Sequence, residues 1–283
     1  MHISQPELDK RGMTYEELFQ YMIVFLDHEV THLRGIHTSI AINDIKAYPL
    51  QIATRIIKMA MTLHSVIERN NDYPVSNIIV RCMADSLSAL YLIYGGKDEE
   101  IKSLRHYLYI IDGIKGRLKE YPEKYEYDNR ISKEEYDKLH QQLIECRGNY
   151  QRTYDFSKSM IERLELYDGR KAVVDGLIRD GNWKFKTLGS AKNYYNWKEM
   201  YNFLGLEKSS SFFSLLSEFV HGLSTSNLIV EIGETTFEPI YSFATSLLDR
   251  LHKFLEREYV QDMEIVRPQM LSVLLDENVP PIL

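Results

Sequence analysis

The sequence predicts an all-α fold. Apolar residues recur at spacings of three and four along most of the chain, helix-start signals stand before several of these stretches, and only 227–237 is β-branched enough for a short hairpin. The expected architecture is a helical bundle carrying a long helical hairpin insertion, with 1–283 as a single domain. In that reading the N-terminal helices occupy 14–120, a long helix or arm 132–170, and the C-terminal helices 190–260 close the bundle.

Thr14-Tyr-Glu-Glu17 is a capping box, in which the Thr hydroxyl and the Glu carboxylate satisfy amides at the helix start. The helix it opens is predicted to reach about Arg34, with Gly35 at the position after the cap. A second helix follows Pro49 and runs to about Asn70, with Ile52, Ile56, Ile57, Ala60, Leu63 and Ile67 on one face. Pro74 suits the first turn of a third, which ends at Tyr94 before Gly95-Gly96. A fourth spans about Asp98 to Glu120 and is weakened by Gly113 and Gly116.

Tyr121 to Ile131 is a polar, Tyr-rich connection and the best candidate boundary. Ser132-Lys-Glu-Glu135 is a second capping box, opening a charged helix past residue 160 with one apolar stripe. Shorter helices are expected over Lys171–Ile178, Asn196–Leu204 and Ser211–Val220, and a long one over Ile240–Tyr259. The tail, with Pro268, Pro280 and Pro281, reads as irregular.

Composition narrows the function classes. Hydrophobic residues are 44% and charged residues 27%, ordinary for a globular protein, so disordered and fibrous classes are out. The net charge of -7 argues against a broad duplex-DNA face. Cys82 and Cys146 make no disulfide framework and fit a reducing cytoplasm, the expected location. The stretch from Met1 to Arg11 is polar and predicts no signal peptide, and no apolar run approaches membrane length.

Four groups of residues carry chemistry. His28-Glu29-Val30-Thr31-His32 places two imidazoles one helical turn apart with a Glu between them, the pattern of a zinc hydrolase. Gly35 and His37 extend the likeness, although His37 is one residue short of the longer pattern. Against it, nothing before residue 28 can form the sheet edge that holds a substrate. Glu29 also shares a face with Leu18, Met22, Leu26 and Leu33, which points it toward the core. No metal or other cofactor is therefore expected, and the zinc hydrolase stands as an alternative.

Arg81 and Asp85 lie four apart in an apolar helix, where a charge must be paired. Ser214, Ser217 and His221 form a polar stripe on another apolar helix, with His221 last before Gly222, at the end where a helix dipole favours a cation. Finally, basic residues from Arg147 to Lys198 interleave with Tyr150, Tyr154, Trp183, Tyr194, Tyr195 and Trp197, a composition that suits stacking of single-stranded nucleic acid. Acids among them also fit a mixed-charge surface. No Gly-rich phosphate loop or nucleophile elbow is present.

In order, Arg81-Cys-Met-Ala-Asp85, Arg105-His-Tyr107, Tyr201 and Ser217-Glu-Phe-Val-His221 resemble an uncharacterised bacterial helical family at the edge of the HEPN superfamily, over roughly residues 50 to 260. The resemblance implies a helical bundle, often dimeric, that binds RNA or a nucleotide or cleaves RNA without a metal in toxin or phage-defence systems. It implies a site of Arg81, Asp85 and His221. His221 would move the proton, Arg81 would stabilise phosphate charge and Asp85 would orient Arg81. The Arg-to-His spacing of the nuclease branch is missing before His221. A non-catalytic interaction module, pairing with a second copy or with a partner protein, is the first alternative and the zinc hydrolase the second; neither membrane nor duplex DNA is expected as a partner.

Overall fold

The computed structural model describes residues 12–121, 126–127, 130–190, 192–206, 210–221 and 237–274. Among these residues the fold is all-α, with one isolated bridge between Phe185 and Tyr194 and no strand. The hairpin expected near 227–237 lies outside them, apart from Phe237, as do Gly222, Pro280 and Pro281.

The chain divides into two compact units, 1–95 with 197–283, and 96–196. The sequence predicts one domain over 1–283 with an inserted arm; instead, a second unit interrupts the first at Gly95/Gly96 and Asn196/Trp197.

The first unit contains α1 (Tyr15–Ile36), α2 (Tyr48–Asn70), α3 (Tyr73–Tyr94), α8 (Trp197–Tyr201, continued by a 3-10 turn over Asn202–Leu204), α9 (Ser210–His221), α10 (Glu238–Glu258) and α11 (Val260–Leu274). α1 packs on α2, α10 and α11, while α3 packs on α2, α8, α9 and α10. Apolar faces meet in one core: Phe19, Ile23, Leu26 and Leu33 from α1, Ile56, Ile57 and Leu63 from α2, Met83 and Leu87 from α3, and Leu251 and Phe254 from α10. Burial of such side chains stabilises by about 1.5–3 kcal/mol each.

The Thr14 capping box forms as predicted, with Glu17 N donating to Thr14 Oγ1 at 3.1 Å and Thr14 N to Glu17 Oε2 at 2.8 Å. Gly35 does not end α1. The helix continues to Ile36 and His37 caps it, because the His37 amide reaches the Leu33 carbonyl at 2.9 Å and Gly35 keeps a negative φ. The tail also departs from expectation. α11 runs through Pro268 because Met263, Val266 and Met270 are buried, and α11 packs on α1. Packing outweighs the one backbone bond that Pro268 cannot donate.

Among the described residues α3 is the one helix long and apolar enough to cross a membrane, contrary to the expectation that no run approaches that length. Its apolar character has a local cause: Val80, Met83, Ala84, Leu87, Leu90, Leu92 and Ile93 are all buried against neighbouring helices.

The second unit contains α4 (Glu99–Glu120), α5 (Lys133–Ile161), α6 (Glu165–Asp168) and α7 (Lys171–Asp180). α4 packs along α5 and touches α7. The Ser132 capping box opens α5, whose fully buried positions are only Ser157 and Ile161. Arg147 holds the end of α4 by donating to the Leu118 and Tyr121 carbonyls. Gly181 turns the chain at φ +66°, and a Cβ there would also meet Asp112 Oδ1 at 3.1 Å. That close approach lets Trp183 Nε1 donate to Asp112 Oδ2 at 3.1 Å.

Candidate functional site

The apolar spacing of α3 buries its neighbours and leaves Arg81 and Asp85 on the strip that faces α8 and α9. Arg81 Nε and Asp85 Oδ1 form an ion pair at 3.0 Å, with side chains 12% and 31% exposed. The pair is therefore half-buried rather than sealed in the core. Arg81 Nη1 also donates to the Phe213 carbonyl at 3.1 Å, and its guanidinium carbon lies 4.8 Å from the centre of the Tyr201 ring. The Tyr201 hydroxyl donates to Asp85 Oδ1. Burial first, then this bond, push the Tyr201 phenol well above its ordinary pKa, so it remains a donor.

An aromatic stack frames the pair. The Tyr201 and Phe213 rings lie 3.9 Å apart and almost parallel at 5°, and Phe243 meets Phe213 edge-on at 5.3 Å. Trp197 stacks on Tyr201 at 6.4 Å.

Beside this assembly is an open cavity of about 370 Å³, lined by Arg81, Trp197, Lys198, Tyr201, Ser214 and Ser217 among others. That volume falls within the roughly 300–1,000 Å³ typical of small-molecule sites. Arg81 has five N–H donors. Asp85 and the Phe213 carbonyl each take one of them.

The structure thus brings together Arg81, Asp85, Tyr201, Ser214 and Ser217, all singled out by sequence. His221 is different. It is the last residue of α9, exposed, and not one of the residues lining the cavity. Phe213, Trp197, Lys198 and Asn202 were not assigned to this site by sequence. A Trp-Lys pair four and three residues before Tyr201 on a short helix was the available signal.

The other sequence groups fall elsewhere. Glu29 is fully buried and accepts from His252 Nδ1 at 3.0 Å, so it faces α10. His28 and His32 lie on the partly exposed side of α1. His37 pairs with Asp262 at 2.8 Å. The zinc-hydrolase arrangement needs that Glu beside a metal-bound water, and here it is turned away. In the basic and aromatic stretch, Trp183 and Phe185 belong to the core of the second unit, where Arg105 sits 4.8 Å over the Phe185 ring. Tyr194 is exposed, and Lys186 lies 5.4 Å from the Tyr195 ring. Trp197 and Lys198 belong to the first unit, so the run does not form one continuous groove within either unit.

No protein-family model, curated protein or solved structure matches the chain.

Proposed function

We propose that this protein binds a nucleotide, free or as the end of an RNA strand, in the cavity beside Arg81. One observation carries the reading: Arg81 and Lys198 share a single concave site with the Trp197 and Tyr201 rings and the Ser214 and Ser217 hydroxyls. Two cationic groups suit a phosphate, an aromatic wall suits a base, and hydroxyls suit a ribose. Asp85 and the Phe213 carbonyl fix the guanidinium beforehand, which lowers the ordering cost of binding.

Binding is favoured over cleavage because, among the described residues, the lining holds neither an imidazole nor a carboxylate to move a proton. A metal-independent ribonuclease of the HEPN type would need His221 to reach the bound phosphate. A purely structural role for Arg81 is the second reading, supported by its engagement with Asp85, Phe213 and Tyr201.

Titration of the full chain with AMP, GMP and short single-stranded RNA, followed by Trp fluorescence and calorimetry, tests this. Saturable binding is expected, weakened at least tenfold by Arg81→Met and several-fold by Lys198→Ala, and unaffected by His221→Ala. Absence of binding to all three probes, or equal binding by Arg81→Met, refutes the assignment. Cleavage of RNA by the wild type that His221→Ala abolishes would convert the binding protein into the nuclease.

A further inference from the structure

A second group of polar side chains lies at the α1–α2 seam. Glu16 is in the first turn of α1, and His64 and Glu68 are four apart on one face of α2. Their ligating atoms all lie within 4.8 Å of one another. Gln20, one turn after Glu16, completes the group: its Nε2 donates to Glu16 Oε1 at 3.0 Å and lies 3.3 Å from His64 Nε2.

Two features of this group are unexplained by packing. The first is charge. Glu16 and Glu68 approach each other, and among the described residues neither is ion-paired to a lysine or arginine. The second is the posture of His64. The Tyr241 hydroxyl of α10 lies 3.4 Å from its Nδ1 and also contacts Glu68. Tyr241 thus holds the ring at Nδ1, and Nε2 faces the Gln20 amide. A metal-bound histidine is held in this way, with its outer nitrogen on a hydrogen-bonding partner that fixes tautomer and ring orientation.

We propose that Glu16, His64 and Glu68 bind a divalent transition-metal cation, with Zn²⁺ as the best-matched ion. One neutral imidazole and two carboxylates balance the charge of the ion, and this mixed nitrogen and oxygen set suits zinc better than calcium or magnesium. Zinc needs its ligands at about 2.0–2.2 Å, hence about 3–4 Å from each other. The exposed Glu68 side chain closes that gap by rotation about its own bonds. Half a turn of the Gln20 amide exchanges its nitrogen for oxygen and supplies a fourth ligand. The site is separate from the His28–His32 pattern on the same helix, which Glu29 spoils, and from the Arg81 cavity.

The test uses the full chain after chelator treatment, titrated with ZnCl₂ and MnCl₂ by calorimetry and with Co²⁺ by visible absorption. One zinc per chain and a raised melting temperature are expected. Glu68→Gln, an exposed and isosteric change, should weaken zinc at least tenfold; His64→Ala should remove the Co²⁺ bands. The double variant His28→Ala with His32→Ala should bind zinc as the wild type does. Circular dichroism of Glu68→Gln confirms that the chain is folded, so the result stands even where His64→Ala does not fold. Wild-type protein that binds neither zinc nor manganese, or Glu68→Gln that binds zinc undiminished, overturns the proposal, as does loss of binding in the His28/His32 variant.

Discussion

Arg81 engages more of the structure than its spacing from Asp85 foretells. The i,i+4 relation on α3 was legible because helix geometry alone brings the two side chains together. The Phe213 carbonyl, 132 residues away, and the Tyr201 ring were not, since no local pattern encodes which helix meets which. The half-buried setting sets the magnitude. Arg81→Met should cost about 1–3 kcal/mol in urea unfolding, less than a fully sealed pair would, because Asp85 keeps the Tyr201 hydroxyl and some water. Asp85→Leu should cost a similar amount, and the double change should recover about 1 kcal/mol of the sum. Strict additivity would mean that the ion pair contributes nothing and that Arg81 is held by α9 alone. His221 illustrates the opposite error. Its spacing from Ser214 and Ser217 puts it on their face, but it lies one turn further along at the last residue of α9 and ends exposed beyond the cavity lining.

Among elements, starts were easier to read than ends. Thr14 and Ser132 announce α1 and α5 through side-chain bonds made within four residues, so the signal is local and survives tertiary context. Gly35 and Pro268 are also local signals, but packing overrides both. In α11, Pro268 is exposed while Met263, Val266 and Met270 anchor the helix from its other side. Its ring displaces the carbonyl of Glu264 and removes one hydrogen bond. Pro268→Ala should therefore restore that bond and raise stability by about 1–2 kcal/mol, after the loss of proline's restraint on the unfolded chain. Greater hydrogen-exchange protection confined to α11 is the direct readout. Unchanged or weaker protection there would show that the missing hydrogen bond at Pro268 costs α11 nothing.

The first unit is discontinuous in sequence, and a buried carboxylate in one part pairs with a histidine in the other. Glu29 of α1 and His252 of α10 stand 223 positions apart. Periodicity predicted that Glu29 turns inward but could not name its partner, so the polar core was only half legible. Burial raises the Glu29 carboxyl above its ordinary pKa, with His252 opposing. Burial alone would lower the imidazole; the hydrogen bond and charge of Glu29 outweigh it, and the His252 pKa is raised. Glu256 adds to this from 3.6 Å while pairing with Arg267, and Asp249 adds further negative charge, itself bonded to Lys253. Both shifts mean that the folded protein holds its proton more tightly than the unfolded chain. For His252 the stabilisation is fully present below pH 6.5 and is lost as pH rises through the elevated folded value; the Glu29 shift acts in the same direction from 4.5 upward. The melting temperature should accordingly fall as pH rises above 6.5. Glu29→Gln removes the charge that raises His252 and should flatten that slope, even though it also lowers the melting temperature at about pH 6. A slope over the same interval that is equal in Glu29→Gln and wild type would assign the pH dependence to other histidines and leave the α1–α10 pair without a role in it.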